Sequence, residues 1–414
     1  MKITRVESFT VAIPFEAPIL SAFGVSYPAR IRTMIRVHTD TGLVGLGETG
    51  PSAVHTVNRD ALVGRFERMI EPLIIGESPV DRGWLQRKLY QYPVEAIAVE
   101  IACWDIVAQQ VGVPLYRLIG GLGMQTEVSV AAYVFFRLPS ADGSGAVNAS
   151  NYLEHCRSLQ AAYGFNTLKM KLGANHPFDD LSLLKSIRAA FGPGVELRID
   201  PNGSWSLPTA LRMVKALADI DLQYIEEPVR VPGPADSTAP TAALTRLRAI
   251  SNTPIAADHV YRMDLLTHVI RAEAADLVLA DVFGCGGINA TRNYITTATA
   301  FGLGIAMHSG AELCVGQLAK VHLQAAFADK MNLAGDAIYP EYVDGVLQGG
   351  KLKIQNGCMP VPQTPGLGAL LDEDKLAQWE LTASRHQELD QFWDHCKHEI
   401  GMTYPQVDLL VRHD

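Results

Sequence analysis

Along the first part of the chain, apolar and polar positions alternate in short runs and then shift to a helical period. Arg32-Thr-Met-Ile-Arg-Val-His38 alternates as a half-buried strand does, and Asp40-Thr-Gly42 supplies a turn for a hairpin. Two stretches, near Leu62 to Ile75 and Val94 to Val111, carry the helical period, and Gly112 and Pro114 stop the second. These elements predict an α+β module over residues 1–125. From about residue 126, short apolar strands alternate with amphipathic helices. The predicted strands are Val128–Tyr133, Thr167–Leu172, Leu197–Asp200, Gln223–Glu226, Ile255–Asp258, Leu277–Asp281, Gly304–His308 and Asn332–Asp336. The helix after Asp200 is the clearest. Ser206 can cap it, Pro208 fits its first turn, and Ala210, Met213, Val214 and Leu217 form one apolar face. Ser140–Ser150 and Pro232–Pro240 read as surface loops. The strand–helix pattern ends near residue 360, and a helical tail, 361–414, is expected to pack back on the first module.

The polar residues closing seven of those strands are Lys171, Asp200, Glu226, Asp258, Asp281, His308 and Asp336, spaced 23 to 32 residues apart. That is one strand plus one helix per step. The pattern predicts an α/β fold: a (β/α)₈-type barrel over residues 126–360, capped by the α+β module and the tail. Barrel active sites lie at the C-terminal ends of the strands, where these polar residues fall.

Composition narrows the partners. The 414 residues are 48% hydrophobic and 19% charged, which is globular composition, and the formal net charge of −9 argues against nucleic acid. It leaves room for a small anionic substrate at a local cationic site. The opening MKITRVESFTVAIPF is interrupted by Glu7 and Pro14, so neither a signal peptide nor a membrane span is predicted. The six cysteines show no C-x-x-C spacing and read as thiols in a reducing cytoplasm.

The chemistry starts from Thr167-Leu-Lys-Met-Lys-Leu-Gly173. Leu168, Met170 and Leu172 share one face of the strand, and Lys169 and Lys171 share the other. Asp200, Glu226 and Asp258 end three successive strands. Carboxylates that close repel unless a cation sits among them, and hard oxygen donors suit Mg²⁺. Asp281 beside His308 can orient the imidazole, and Lys171 and His308 would flank a substrate across the barrel mouth. A lysine beside a second ammonium and a metal has a lowered pKa and can act as a general base. Removing a proton α to a carboxylate gives an enediolate, which a metal and a cationic Lys169 would stabilise.

Lys169-Met-Lys171, Asp200-Pro-Asn202, Ile225-Glu-Glu-Pro228, Pro254-Ile-Ala-Ala-Asp258 and the Asp281/His308 pair resemble the mandelate racemase and acid-sugar dehydratase branch of the enolase superfamily. Val44-Gly-Leu-Gly-Glu48, Gly112-Val-Pro-Leu-Tyr-Arg-Leu-Ile-Gly-Gly121 and Pro365-Gly-Leu-Gly368 extend the resemblance over nearly the whole chain. The resemblance implies Lys171 as one base and Lys169 as its carboxylate-side partner. It implies His308, oriented by Asp281, as the second acid/base, and Asp200, Glu226 and Asp258 as ligands of Mg²⁺, with Mn²⁺ as the substitute. Asn202, Ser309 and Asp336 would contact the substrate, and loops near Ser21–Tyr27 and Pro51–His55 would select it. Glu226 and Glu227 are adjacent; Glu226 shares a face with Tyr224 and is taken as the ligand. His259 follows Asp258 where the cycloisomerase branch reads Asp-Glu, which weakens that reading. Gly45-Leu-Gly-Glu-Thr-Gly50 matches a dinucleotide fingerprint, but Pro51 follows it, so a glycine-rich turn is expected instead. The implied activity is dehydration of an aldarate or aldonate, glucarate- or galactarate-like, to a 2-keto-3-deoxy acid. The alternatives are a racemase or epimerase using the same Lys/His pair, and an inactive ligand-binding barrel. Homo-oligomers are common among such proteins, and one is expected here.

Overall fold

The barrel strands are short, mostly apolar runs buried on both faces, with helices between them in the chain, as a covered parallel sheet requires. In the computed structural model, which describes residues 1–50, 58–230 and 239–399, the barrel strands are β1 (Glu127–Val134), β2 (Thr167–Lys171), β3 (Glu196–Asp200), β4 (Tyr224–Glu226), β5 (Ile255–Ala257), β6 (Leu277–Ala280), β7 (Gly304–Met307) and β8 (Gly335–Ala337). They run in the order β7-β6-β5-β4-β3-β2-β1-β8, with parallel ladders, and β7 lies against β8. This is the predicted barrel. Four polar strand ends differ from the sequence reading. Asp258, Asp281 and His308 each follow their strand by one residue, and Asp336 lies inside β8 rather than closing it. The register sets Lys169 beside Tyr133 and Arg198, and Lys171 beside Asp200.

The capping module holds an antiparallel sheet of Ile3–Pro14, Ala29–Thr39 and Val44–Glu48, with the expected hairpin at Asp40–Gly42. The helix Pro93–Val111 packs on it and ends at Gly112 in the left-handed region, φ 78°. Two expectations fail here. The helix expected over Leu62–Ile75 is broken into Arg59–Leu62, a π-helical turn at Phe66–Ile70 and Glu71–Ile74. Gly64, at φ 65°, and Pro72, which has no N–H to donate, interrupt a continuous α-helix. The Gly45-Leu-Gly47 run is not a turn but the strand on which that long helix rests. A Cβ at Gly45 or Gly47 would collide with the carbonyl oxygens of Ala102 and Ala98.

Two buried acids of the module fasten it to the barrel, and a third ties it to the C-terminal segment. Glu48 accepts the N–H groups of Leu313 (2.7 Å) and Gly316 (2.8 Å) at the start of the helix after β7. Glu100 accepts those of Ile288 (2.7 Å) and Asn289 (3.0 Å) at the start of the helix after β6. Asp105 bridges Leu46 N–H (2.9 Å) and Leu367 N–H (2.7 Å). Anions are favourable at helix N-termini, so Glu48 and Glu100 fix the segments that follow His308 and Asp281. The tail helix Ala383–Glu399 reaches the module through Trp393 Nε1, which donates to Val25 O (3.2 Å), and through Asp390, which accepts from the Tyr27 hydroxyl (2.9 Å). Ser140–Ser150 is a largely exposed loop. Pro51–His55 and most of Pro232–Pro240 lie outside the described residues. No described helix is long and apolar enough to cross a membrane.

Glu48 makes stability depend on pH. Burial pushes its carboxyl up from 4.5 to about 7, against the opposing pull of Arg32 and the two backbone donors. Between those values the folded chain binds the proton more tightly than the unfolded chain. The contribution is full below 4.5 and is lost as pH rises through about 7. Thermal unfolding followed by circular dichroism should therefore show stability falling between pH 5 and 8. Glu48→Gln should flatten that slope by on the order of 2–3 kcal/mol.

Candidate active site

The site is built from the C-terminal halves of the strands, and parity decides which side chains enter it. All five residues of β2 are buried. Leu168, Met170 and Leu172 join the apolar core, while Lys169 and Lys171 point into the barrel. Lys169 is fully buried. Its ammonium donates to Glu226 (2.7 Å), Asp336 (2.6 Å) and the Tyr133 hydroxyl (3.3 Å), and lies 3.8 Å from Asp200. Lys171 pairs with Asp200 and reaches Asn202 Oδ1 (3.4 Å). Asn202, at φ 49°, turns back so that its N–H donates to Asp200 Oδ1 (2.8 Å). Gly173 ends the run at φ 85°, where a Cβ would press on Ala22 (2.8 Å) of the capping module.

The metal-type acids sit in this interior. Asp200, Glu226, Asp258 and Asp336 are all fully buried, facing the three cations Lys169, Lys171 and Arg198. Glu226 lies between Asp200 and Asp258. Burial first, then the Asp200 charge, push its carboxyl well above the ordinary range. Burial works against the Asp200 charge as well, yet Lys171 and Lys169 hold that carboxyl down at about 2. Asp258 Oδ2 and Asp336 Oδ1 make no hydrogen bond among the described residues. A surplus of buried carboxylates with unpartnered oxygens fits a hard divalent cation. Ligand atoms converge within 4.8 Å in two groups, Glu226/His308/Asp336 and Glu227/Asp258/His259. Glu227, at φ 38°, turns out of the strand and its carboxylate meets His259 Nδ1 at 2.9 Å.

His308 is buried. Its Nδ1 lies 3.4 Å from the Tyr133 hydroxyl and 3.6–3.8 Å from oxygens of Asp258, Asp336 and Glu226. Burial, only partly offset by Asp258, lowers its pKa from 6.5 to about 4, so the ring is neutral near pH 7. A pocket of about 220 Å³ opens above this layer. Its lining includes Lys171, Asn202, His308, Ser309 and Tyr133 from the barrel, and Ser21, Phe23 and Arg30 from the capping module. A proton can pass between either Lys171 or His308 and a small molecule held there.

Other expected residues sit elsewhere. Asp281 is not a hydrogen-bond partner of His308 among the described residues. It accepts the Gly284 N–H instead, and burial pushes its carboxyl up to about 7. Asp336 and Lys169 do not line the pocket; each lies beneath it, engaged by the other. Lys169 is held as a cation by its acid partners. Burial works against its charge, but Asp336 and Glu226 together hold it well above its ordinary value. The sequence reading missed Tyr133, whose hydroxyl donates to Asp336 Oδ2 (2.9 Å) and whose ring is 4.9 Å from both lysine ammoniums. It closes the first predicted strand, so the rule that found the other seven strand ends applies to it too.

A barrel with carboxylates on successive strands and a Lys/His pair at its mouth defines a class of proton-abstracting enzymes, and the sequence matches agree. Residues 151–375 match the family described as Enolase C-terminal domain-like, and residues 3–120 match the Mandelate racemase / muconate lactonizing enzyme, N-terminal domain. The chain belongs to this branch of the enolase superfamily. It is 29% identical over 390 residues to the probable glucarate dehydratase of Streptomyces coelicolor, covering 87% of each chain. It is 28% identical to the L-Ala-D/L-Glu epimerase of Bacillus subtilis, covering 89% of this chain and 97% of that one. The fold also matches an enolase of Pseudomonas fluorescens, solved with bound magnesium, potassium and tartrate. The TM-score is 0.81 at 30% identity, covering 94% of this chain and 93% of that one.

Proposed function

We propose that the protein is a Mg²⁺-dependent dehydratase of a small hydroxylated acid, an aldarate or aldonate. The observation that carries this is a pocket lined by both Lys171 and His308, which in turn meet the buried carboxylates Asp200 and Asp258. Similarity to a probable glucarate dehydratase and to a magnesium- and tartrate-bound enolase supports the reaction type and the metal. Asp200, Glu226 and Asp258 would hold the ion, which when bound supplies positive charge for the substrate carboxylate. Either Lys171 or His308 removes the α-proton, according to the hand of that carbon. Where His308 takes it, the imidazolium formed returns the proton to the β-hydroxyl as the C–O bond breaks. Water leaves, and the enol ketonises to a 2-keto-3-deoxy acid. Asn202 and Ser309 contact the bound acid from the pocket wall.

The second reading is a racemase or epimerase. It is favoured by the presence of two acid/base groups in one pocket and by similarity to a dipeptide epimerase. A keto-acid assay over aldarates and aldonates with Mg²⁺, run in D₂O, separates the two. Dehydration predicts keto product from at least one acid. Recovery of α-deuterated starting acid with no keto product would sink the dehydratase reading and leave the isomerase.

A further inference from the structure

Arg30 and Arg32 lie two residues apart on the strand Ala29–Thr39, yet they are used differently. Arg32 is engaged through its terminal nitrogens, although its Nε, like that of Arg30, has no hydrogen-bond acceptor among the described residues. It donates to Gly310 O (2.9 Å) and Ala311 O (2.8 Å) and lies 3.7 Å from Glu48, which fixes the loop after His308. Arg30 makes no hydrogen bond or ion pair among the described residues. Its Nε is buried and unpartnered, and its guanidinium carbon sits 5.6 Å from the Phe15 ring centre. Arg30 lines the same 220 Å³ pocket as Lys171 and His308.

A buried guanidinium N–H with no acceptor costs free energy unless a ligand supplies one. Part of the pocket wall is apolar, with Ile19, Phe23, Val25, Phe135 and Ile338, and Ser21, Ser26, Asn202 and Ser309 supply polar groups beside it. The apolar part of the wall excludes water from an ion pair formed beside it. The volume is below the usual range for ligand pockets, which favours a short molecule. A planar guanidinium binds carboxylate through paired N–H donors.

We propose that Arg30 is a specificity-determining residue that takes the far carboxylate of the substrate, so that the physiological acid is a short dicarboxylate. The inference deepens the dehydratase reading and rests on it for the near carboxylate alone. Arg30 therefore separates diacids from monoacids that carry the same carbon chain.

The test is equilibrium binding with Mg²⁺ present, using two probes. Tartrate has four carbons and two carboxylates; 2,3,4-trihydroxybutanoate has the same carbons and one. The wild-type chain should bind tartrate about 10- to 100-fold more tightly, the range expected for a charge-assisted pair. Arg30→Gln should bring the two probes to within about twofold, by weakening tartrate alone. Arg30→Lys keeps the charge and loses the paired geometry, so an intermediate preference is expected; it also serves if the glutamine variant does not fold. An unchanged preference in both variants, or no wild-type preference for tartrate, overturns the proposal. Turnover is not needed for this result. An Arg30-dependent preference with no keto acid from any substrate keeps this inference and removes the dehydratase reading. Keto acid formed equally well from mono- and diacids, with or without Arg30, removes only this one.

Discussion

Lys171→Ala should lower α-proton exchange and keto-acid formation by about 10²- to 10⁴-fold, the range for loss of a positioned general base. The fold should survive. Lys171 sits at the edge of the pocket, and Asp200 keeps Lys169 at 3.8 Å and its two bonds from Asn202. His308→Asn supplies the complementary measurement. If the two groups serve opposite faces of the α-carbon, Lys171→Ala silences exchange with one epimer of the acid and His308→Asn with the other. Exchange can be followed in D₂O by proton NMR with each epimer separately. Loss of both epimers in both variants would mean that the two groups act as one unit. Wild-type rates in Lys171→Ala would mean that Lys171 is not the base, and no exchange or keto acid from the wild-type chain over the whole acid panel would instead revive the reading of a barrel that binds ligand without this chemistry.

The barrel was legible in the sequence because its period is long and repeated. Seven polar strand ends at near-constant spacing carry the same message seven times, so errors of one or two residues at a strand end do not matter. Lys169, Lys171, Asp200 and Glu226 were legible for a related reason: strand parity fixes their direction, and the ladder pairs Lys171 with Asp200. What parity cannot give is depth. Lys169 and Asp336 share the interior with Lys171, but they sit one layer lower, where they neutralise each other beneath the pocket. Loop rotation was equally hidden. Asp281 follows β6 and His308 follows β7, yet the loop directs Asp281 to the Gly284 N–H and the imidazole to the carboxylates. Glu227 breaks parity outright because its backbone enters the left-handed region, which no alternation rule anticipates. Arg30 was silent for a different reason. A strand arginine is ordinary in a sequence, and only the packing of capping module on barrel brings it to Lys171 and His308.

Lys169→Met should destabilise the metal-free protein by about 3–5 kcal/mol, the cost of stripping a buried ion pair of one partner. The methionine keeps most of the stem's volume, so the loss is electrostatic rather than a cavity. Glu226 would lose its direct cation, and Asp336 would keep Arg198 at 3.6 Å, His308 Nδ1 at 3.7 Å and the Tyr133 hydroxyl. The surplus negative charge left in the barrel makes the variant more dependent on a divalent ion than the wild type. Urea unfolding with and without Mg²⁺ should therefore show a larger Mg²⁺-induced gain in Lys169→Met, since binding to the folded state alone adds to its stability. Adding Glu226→Gln to Lys169→Met should cost less than the sum of the two single changes, because the second removes the charge that the first left unpaired. A Lys169→Met chain as stable as the wild type without Mg²⁺ would mean that the carboxylate layer is held by something other than this ammonium. Strict additivity of the two changes would say the same of Glu226. The size of the coupling thus measures how far Lys169 does the work of a metal counter-charge when no metal is bound.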